Sequence, residues 1–274
     1  MTSLAELSGS RELMLSLTRR ELRGKFKRSL LGWSWSLINP LATMVIFTVV
    51  FGVFLRVTTP AGSPSGLSNF ALFLLCGLLP WNFLANGSNG SMGALVNNSN
   101  LIKKVYFPRE VLVGAIIASS GVAFLIEMAV LTVALLVVGN FVLPWLIPAL
   151  GLAVIQAVFV TGIGLMLSVV NVYFRDLQHL VGIALQFWFY STPIVYPLEV
   201  VPLRAELLGV DVPVRTLYEL NPMVRFVEAY RDCLYHLRFP PLADMIYLIA
   251  VSAAVLSLGL FVFRRLEPKL AEEL

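Results

Sequence analysis

The chain has 274 residues, 58% hydrophobic and only 13% charged, with a formal net charge of +4. A soluble domain carries about 25% charged residues, so this composition, with a mean hydropathy of +0.84, is that of an integral membrane protein. Spans of roughly 20 apolar residues, each crossing about 30 Å of hydrocarbon, use up most of the length and leave no room for a soluble catalytic domain.

The first 30 residues lack the apolar core and cleavage site of a signal peptide. Residues 10–31 instead set Leu13, Leu17, Leu22, Phe26 and Leu30 at four- and five-residue spacing among seven basic side chains. That pattern predicts an amphipathic helix in the membrane interface; a solvated basic arm is the alternative. Thr18 and Glu21 have the spacing of a capping box that restarts the helix.

Six spans are expected next, over residues 33–55, 70–85, 111–138, 146–170, 180–196 and 245–263. Asn39-Pro40 marks the start of the first, and Pro80-Trp81 lies inside the second. The stretch NGSNGSMGALVNN that follows is too polar for lipid and fits a continued helix only against protein. With the N-terminus inside, the C-terminus is inside too, and most lysines and arginines fall on the inner side. The exception is the 197–242 segment, which holds five arginines.

Chemical motifs are few. There is no G-x-x-x-x-G-K-[ST], no H-E-x-x-H and no G-x-S-x-G, and His179 and His236 are far apart in sequence. No catalytic residue, metal or cofactor is therefore assigned to this chain. Cys76 and Cys233 fall in an apolar span and a polar loop, so no disulfide framework is expected.

Between the second and third spans lies a polar, basic segment from Asn98 to Glu110. Lys103, Lys104, Arg109 and Glu110 offer charges to a soluble partner. Tyr106 and Phe107 offer aromatic anchors, and Pro108 biases Phe107 out of the helical region. By residue type alone, the same charges and aromatics also suit a plain span-end anchor.

Other residues carry open readings. Arg175-Asp176 fits a cap or ion pair at a tight turn, or a partner contact. Glu127, inside the third span, is an expensive intramembrane acid, either bonded to a neighbouring helix or near a wet outer edge. Gln156 and Gln186 suit interhelical hydrogen bonds. Phe187, Trp188, Tyr190 and Tyr196 belong to an aromatic run that reads as an interfacial belt or as a lining able to stack on sugar rings. Residues 203–208 and 222–235 look like short helices, with Asn221-Pro222 as a helix start. Arg225, Glu228, Arg231 and Asp232 stand at pairing distances.

Six strings stand in order along nearly the whole chain: KRSLLGWSWSLINPLATMVIFTVVFGVFLR (27–56), GLLPWNF (77–83), NLIKKVYFPRE (100–110), NVYFRDLQHL (171–180), FYSTPIVYP (189–197) and LNPMVRFVEAYRDCLY (220–235). Together they resemble the ABC-2 type permeases of the polysaccharide-export class, the membrane subunits of O-antigen, capsule, teichoic acid and galactan exporters. The resemblance implies an all-α membrane fold: an amphipathic interface segment over 1–31, a six-span domain over 32–266 with re-entrant outer helices within about 197–242, and a cytoplasmic tail over 267–274.

It also implies a homodimer in the inner membrane, with both termini cytoplasmic and two separate ATPase subunits that carry ATP and magnesium. Nucleic acid has no place in this reading. Asn100, Lys103, Lys104, Tyr106, Phe107, Pro108, Arg109 and Glu110 become the ATPase-coupling segment. Phe187, Trp188, Tyr190 and Tyr196 become the substrate path, and Arg225, Glu228 and Arg231 part of the channel exit. The expected function is export of a lipid-linked polysaccharide. The alternatives are export of a small amphiphile or, from another class, an intramembrane transferase resting on Glu127.

Overall fold

The computed structural model describes residues 4–25, 35–54, 56, 60–105, 107–207 and 210–270. Its elements in chain order are α1 (Leu4–Lys25), α2 (Trp35–Phe47, widening into a π-helix over Thr48–Phe54), α3 (Phe70–Met92), α4 (Ser99–Lys104), α5 (Glu110–Val137), α6 (Leu146–Tyr173) and α7 (Leu177–Tyr190). A hairpin of β1 (Ala205–Leu207) and β2 (Val210–Val212) follows, then α8 (Val214–Glu219), α9 (Pro222–Arg231, continued by a π-helical turn Asp232–His236) and α10 (Leu242–Leu266).

Among the described residues, four helices are long and apolar enough to cross a membrane: α3, α5, α6 with its leading turn, and α10. The chain is a multi-pass membrane protein. Two expected spans are shorter. The apolar stretch of α2 and its π-helix is Pro40–Phe54. The fifth span, expected over 180–196, ends as a helix at Tyr190 after 14 residues. At 1.5 Å per residue α7 is about 21 Å long, because Pro193 and Pro197 stop it and the chain turns at Ser191–Thr192.

α3 continues seven residues past Ala85, to Met92, the continuation the sequence allowed against protein, with one face of its polar half buried on α6. Gly87 is so close to α6 that a Cβ there would sit 2.5 Å from Val160 Cγ1, and Gly164 of α6 meets Ser91 in the same way. Asn171 of α6 donates to the Met92 carbonyl at 2.9 Å, satisfying the last turn of α3. Residues 203–207 are not helical: Ala205–Leu207 forms a strand, and Leu208 lies outside the described residues. The capping box is also absent: Thr18 donates to the Met14 carbonyl at 2.7 Å inside an unbroken α1. Leu17 and Thr18 are buried, and Met14 packs on Gly114 of α5. Phe26 and Leu30 of the expected stripe lie outside the described residues.

The tightest helix pair is α6 with α10. A Cβ on Gly162 would stand 2.5 Å from the Val255 carbonyl oxygen, and one on Gly259 would stand 2.3 Å from the Gly162 carbonyl oxygen. Glycine on both faces brings the backbones together, as spans need where hydrocarbon gives no drive to associate. Gln156 donates to the Pro80 carbonyl at 2.7 Å and joins α6 to α3 at the proline. Gln186, by contrast, is exposed.

The helix α9 is inserted among α3, α6 and α10. Asn221 caps it, its side chain accepting from the Met223 amide at 3.0 Å, and Pro222 takes the first helical position. Its far end meets the start of α3 and its neighbouring loops. Tyr235 lies edge-on to Phe73, Ser65 donates to the Tyr235 carbonyl at 2.6 Å, and Asn140 donates to the Leu234 carbonyl at 3.0 Å.

Candidate functional site

One end of the helix bundle carries the Asn98–Glu110 segment. Its short helix α4 buries only Ile102, leaving Asn100, Lys103, Lys104 and Val105 exposed. Phe107 is half-buried against the core and Pro108 is exposed. Tyr106 lies outside the described residues. Lys103, Lys104, Phe107 and Arg109 line an open groove of about 490 Å³ that Glu267 closes at one side.

The segment is held from three directions. Arg20 of α1 donates to Asn98 Oδ1 at 2.5 Å, and Asn98 in turn donates to the Ala94 carbonyl at 2.8 Å. Arg109 donates to the Glu267 carbonyl at 2.8 Å and faces the Glu267 carboxylate at 3.8 Å. Glu110, the first residue of α5, lies 3.9 Å from Arg264 of α10. Tyr173, the last residue of α6, donates to the Leu266 carbonyl at 3.0 Å. Burial, reinforced by the Glu110 charge, raises the Glu267 pKa above its ordinary value despite Arg109. The exposed face of α4 thus stands on a base that ties the start of α5 to the ends of α6 and α10.

Arg264 and Glu267 were not among the expected residues of this site. Read alone, they are charges at the end of a span. Their partners lie up to 158 positions away, and no local pattern marks that pairing. Asp176 occupies the position before α7 without a side-chain cap bond, and both it and Arg175 are exposed.

The aromatic run divides by contact. Trp188 turns into protein: its indole N–H donates to Asn221 at 2.8 Å, and its ring lies edge-on to Trp81 and Phe159. Phe187 and Tyr190 face outward, 74% and 59% exposed. Tyr196 folds back and donates to the Tyr190 carbonyl at 2.9 Å. Glu127 is 7% exposed and borders Pro40, Leu75 and Leu79, so protein covers it.

The arginines of the 197–242 segment are mostly committed to protein. Arg225 pairs with Asp244, donates to the Glu219 carbonyl at 2.7 Å and lies over the Tyr247 ring. Arg231 is fully buried. It donates to the Pro193 and Ile194 carbonyls at 2.7 Å each and to Glu228 at 2.8 Å, with its guanidinium 3.6 Å above the Phe73 ring. Asp232 pairs with Arg238 at 2.6 Å and not with a neighbour on α9.

Comparison with known proteins agrees with this architecture. Residues 12–235 match the ABC-2 type transporter family. The chain is 30% identical over 270 residues to the O-antigen export system permease protein RfbA of Myxococcus xanthus, covering 98% of both chains. It is 29% identical over 266 residues to a Klebsiella pneumoniae protein of the same name, covering 95% of this chain and 94% of the other. The Polysialic acid transport protein KpsM of Escherichia coli is 29% identical over 266 residues, 92% of each chain. A match over most of its length, together with a polytopic helical fold, places the chain in the ABC-2 type transporter family.

Proposed function

We propose that this chain is the membrane-spanning subunit of an ABC exporter that moves a lipid-linked polysaccharide across the cytoplasmic membrane. The observation that carries the reading is end-to-end similarity to permeases named for O-antigen export and polysialic acid transport. In this reading six segments cross the bilayer, α2 and α7 completing the four longer spans, and α8 and α9 form the re-entrant outer helices. Re-entrant backbone is tolerated where protein covers it, and α9 has protein on several sides. Both termini face the cytoplasm, in keeping with the basic residues gathered at the α4 end of the bundle.

Two copies of the chain form the path, and two copies of a separate ATPase supply hydrolysis, binding ATP and magnesium. The ATPase docks on Asn100, Lys103, Lys104, Tyr106, Phe107 and Pro108. Arg109 and Glu110 pass its motion to α5 and α10 through Glu267 and Arg264. Phe187, Tyr190 and Tyr196 face the moving glycan, offering apolar ring faces to sugar C–H groups, while Trp188 holds their helix against Asn221. Arg225, Glu228 and Arg231 fix the outer helices at the exit.

The test is deletion of the gene in its host, with polymer measured separately at the cell surface and inside the cell. The reading predicts loss of surface polymer with accumulation inside. Surface polymer at the parental level, with loss of resistance to amphiphilic compounds, would replace it with small-amphiphile export.

A further inference from the structure

The polar half of α3 does more than pack against α6. Gly87 and Ser91 point to α6, whereas Asn86, Asn89, Gly90 and Gly93 recur at helical spacing on another face. That face, with α1 and α5, lines an open groove of about 510 Å³, within the roughly 300–1,000 Å³ of small-ligand sites. Asn86 and Asn89 stand exposed on its α3 wall, Asn97 and Asn98 close one end, and Ser119 and Ser120 of α5 form a nearly buried floor. Glycine keeps the wall bare: a Cβ at Gly90 would meet Ile116 at 2.8 Å, and one at Gly93 would meet the Asn97 amide at 2.6 Å.

Two properties define the ligand. Among the described residues, the side chains of Asn86, Asn89, Asn97, Ser119 and Ser120 make no hydrogen bond to protein. They are open to whatever enters the groove. Here they present donors and acceptors together, the pairing that hydroxyl groups require. Among the described residues, Glu21 is the only charged one on the lining, 3.2 Å from Arg20.

Resting on the exporter reading above, we propose that this groove is a glycan subsite on the cytoplasmic side. It takes neutral sugar units of the exported chain, recognised through their hydroxyls by Asn86, Asn89, Asn97, Ser119 and Ser120. The site adjoins the Arg20–Asn98 contact that ties α1 to the α4 segment, so a sugar bound there lies against the base of the ATPase-docking face.

The test uses the full chain in its host. Asn89 or Ser120 is replaced by the photoreactive p-benzoylphenylalanine, cells are irradiated, and the purified chain is hydrolysed for sugar and acyl analysis. Exposed Val133 of α5, outside the groove, serves as the control position. Covalent sugar of the same composition as the surface polymer, at positions 89 and 120 and not at 133, is the expected result. Acyl lipid alone would assign the groove to a phospholipid headgroup and overturn the proposal, as would the absence of any adduct.

In a second arm, Asn86→Leu with Asn89→Leu lowers surface polymer by about tenfold, as the loss of two hydrogen bonds to substrate predicts, with the chain at its normal membrane level. Unchanged polymer in this variant overturns the subsite. Unchanged polymer in the gene deletion overturns the exporter reading instead.

Discussion

Replacing Arg231 by Met removes the pin between α9 and the turn that follows α7. In the native chain its guanidinium is wholly buried, spans the Pro193 and Ile194 carbonyls at 2.7 Å, reaches Glu228, and lies 3.6 Å from the Phe73 ring centroid. Gly77 makes the space, since a Cβ there would stand 3.2 Å from Arg231 Nη2. Methionine fills the volume but leaves two buried carbonyls and a carboxylate without their donor. Hydrogen bonds to a charged group contribute about 1.5–3 kcal/mol each, and the pair with partly exposed Glu228 adds little. The two carbonyl bonds overlap, so the expected loss is about 3–5 kcal/mol, a fall in the unfolding midpoint on the order of 10 °C.

The assay is tryptophan fluorescence of the purified chain during heating in mild detergent. Arg231→Lys sharpens the result, because an ammonium lacks the planar fork that reaches both carbonyls; it should recover only about half the loss. A methionine variant within about 2 °C of the parent would refute the view that Arg231 holds the outer segment in place.

Gly162→Leu forces a side chain against the Val255 carbonyl, which cannot yield as a side chain could; a cost of about 3 kcal/mol should appear as aggregation in size-exclusion chromatography, and a monodisperse variant would contradict it. Arg109→Ala should lower stability by about 1 kcal/mol through loss of the Glu267 carbonyl bond. Glu267→Gln should not lower it at neutral pH. Burial raises the Glu267 pKa, so stability is complete below the ordinary carboxylate range and is lost as pH rises through the raised value; heating curves of both variants test this.

His236 accepts from the Ser63 amide through Nδ1 at 3.2 Å. Burial, then Arg238 and Arg231, lowers its pKa. The stability it contributes is present above the ordinary imidazole range and is lost as pH falls through the lowered value. His236→Gln should therefore flatten the fall in unfolding midpoint as pH drops below the ordinary imidazole range.

The long apolar runs of α3, α5, α6 and α10 could be read from sequence because length and hydropathy are local properties. So could the Asn221-Pro222 start of α9, where two adjacent residues carry the capping chemistry. The end of α7 was missed because the run through Tyr196 stays apolar and aromatic. The residues that stop it, Ser191 to Pro193, tolerate a helix in some contexts. The pairing of Arg225 with Asp244 overrode the helical spacing to Glu228, since a neighbouring helix offered a closer carboxylate. At the α4 face, the exposed lysines could be read directly from the segment. The base of Arg20, Arg264 and Glu267 could not, because tertiary packing alone assembles it.

The most direct test of the central claim is purification of the tagged chain from its native membrane in mild detergent, with mass spectrometry of what accompanies it. The account predicts a Walker-A ATPase in equal amount, lost when Lys103→Glu and Lys104→Glu reverse the charge of the α4 face while the chain itself stays folded. An ATPase that remains bound to the charge-reversed chain, or a chain that purifies with none in any nucleotide state, would contradict it.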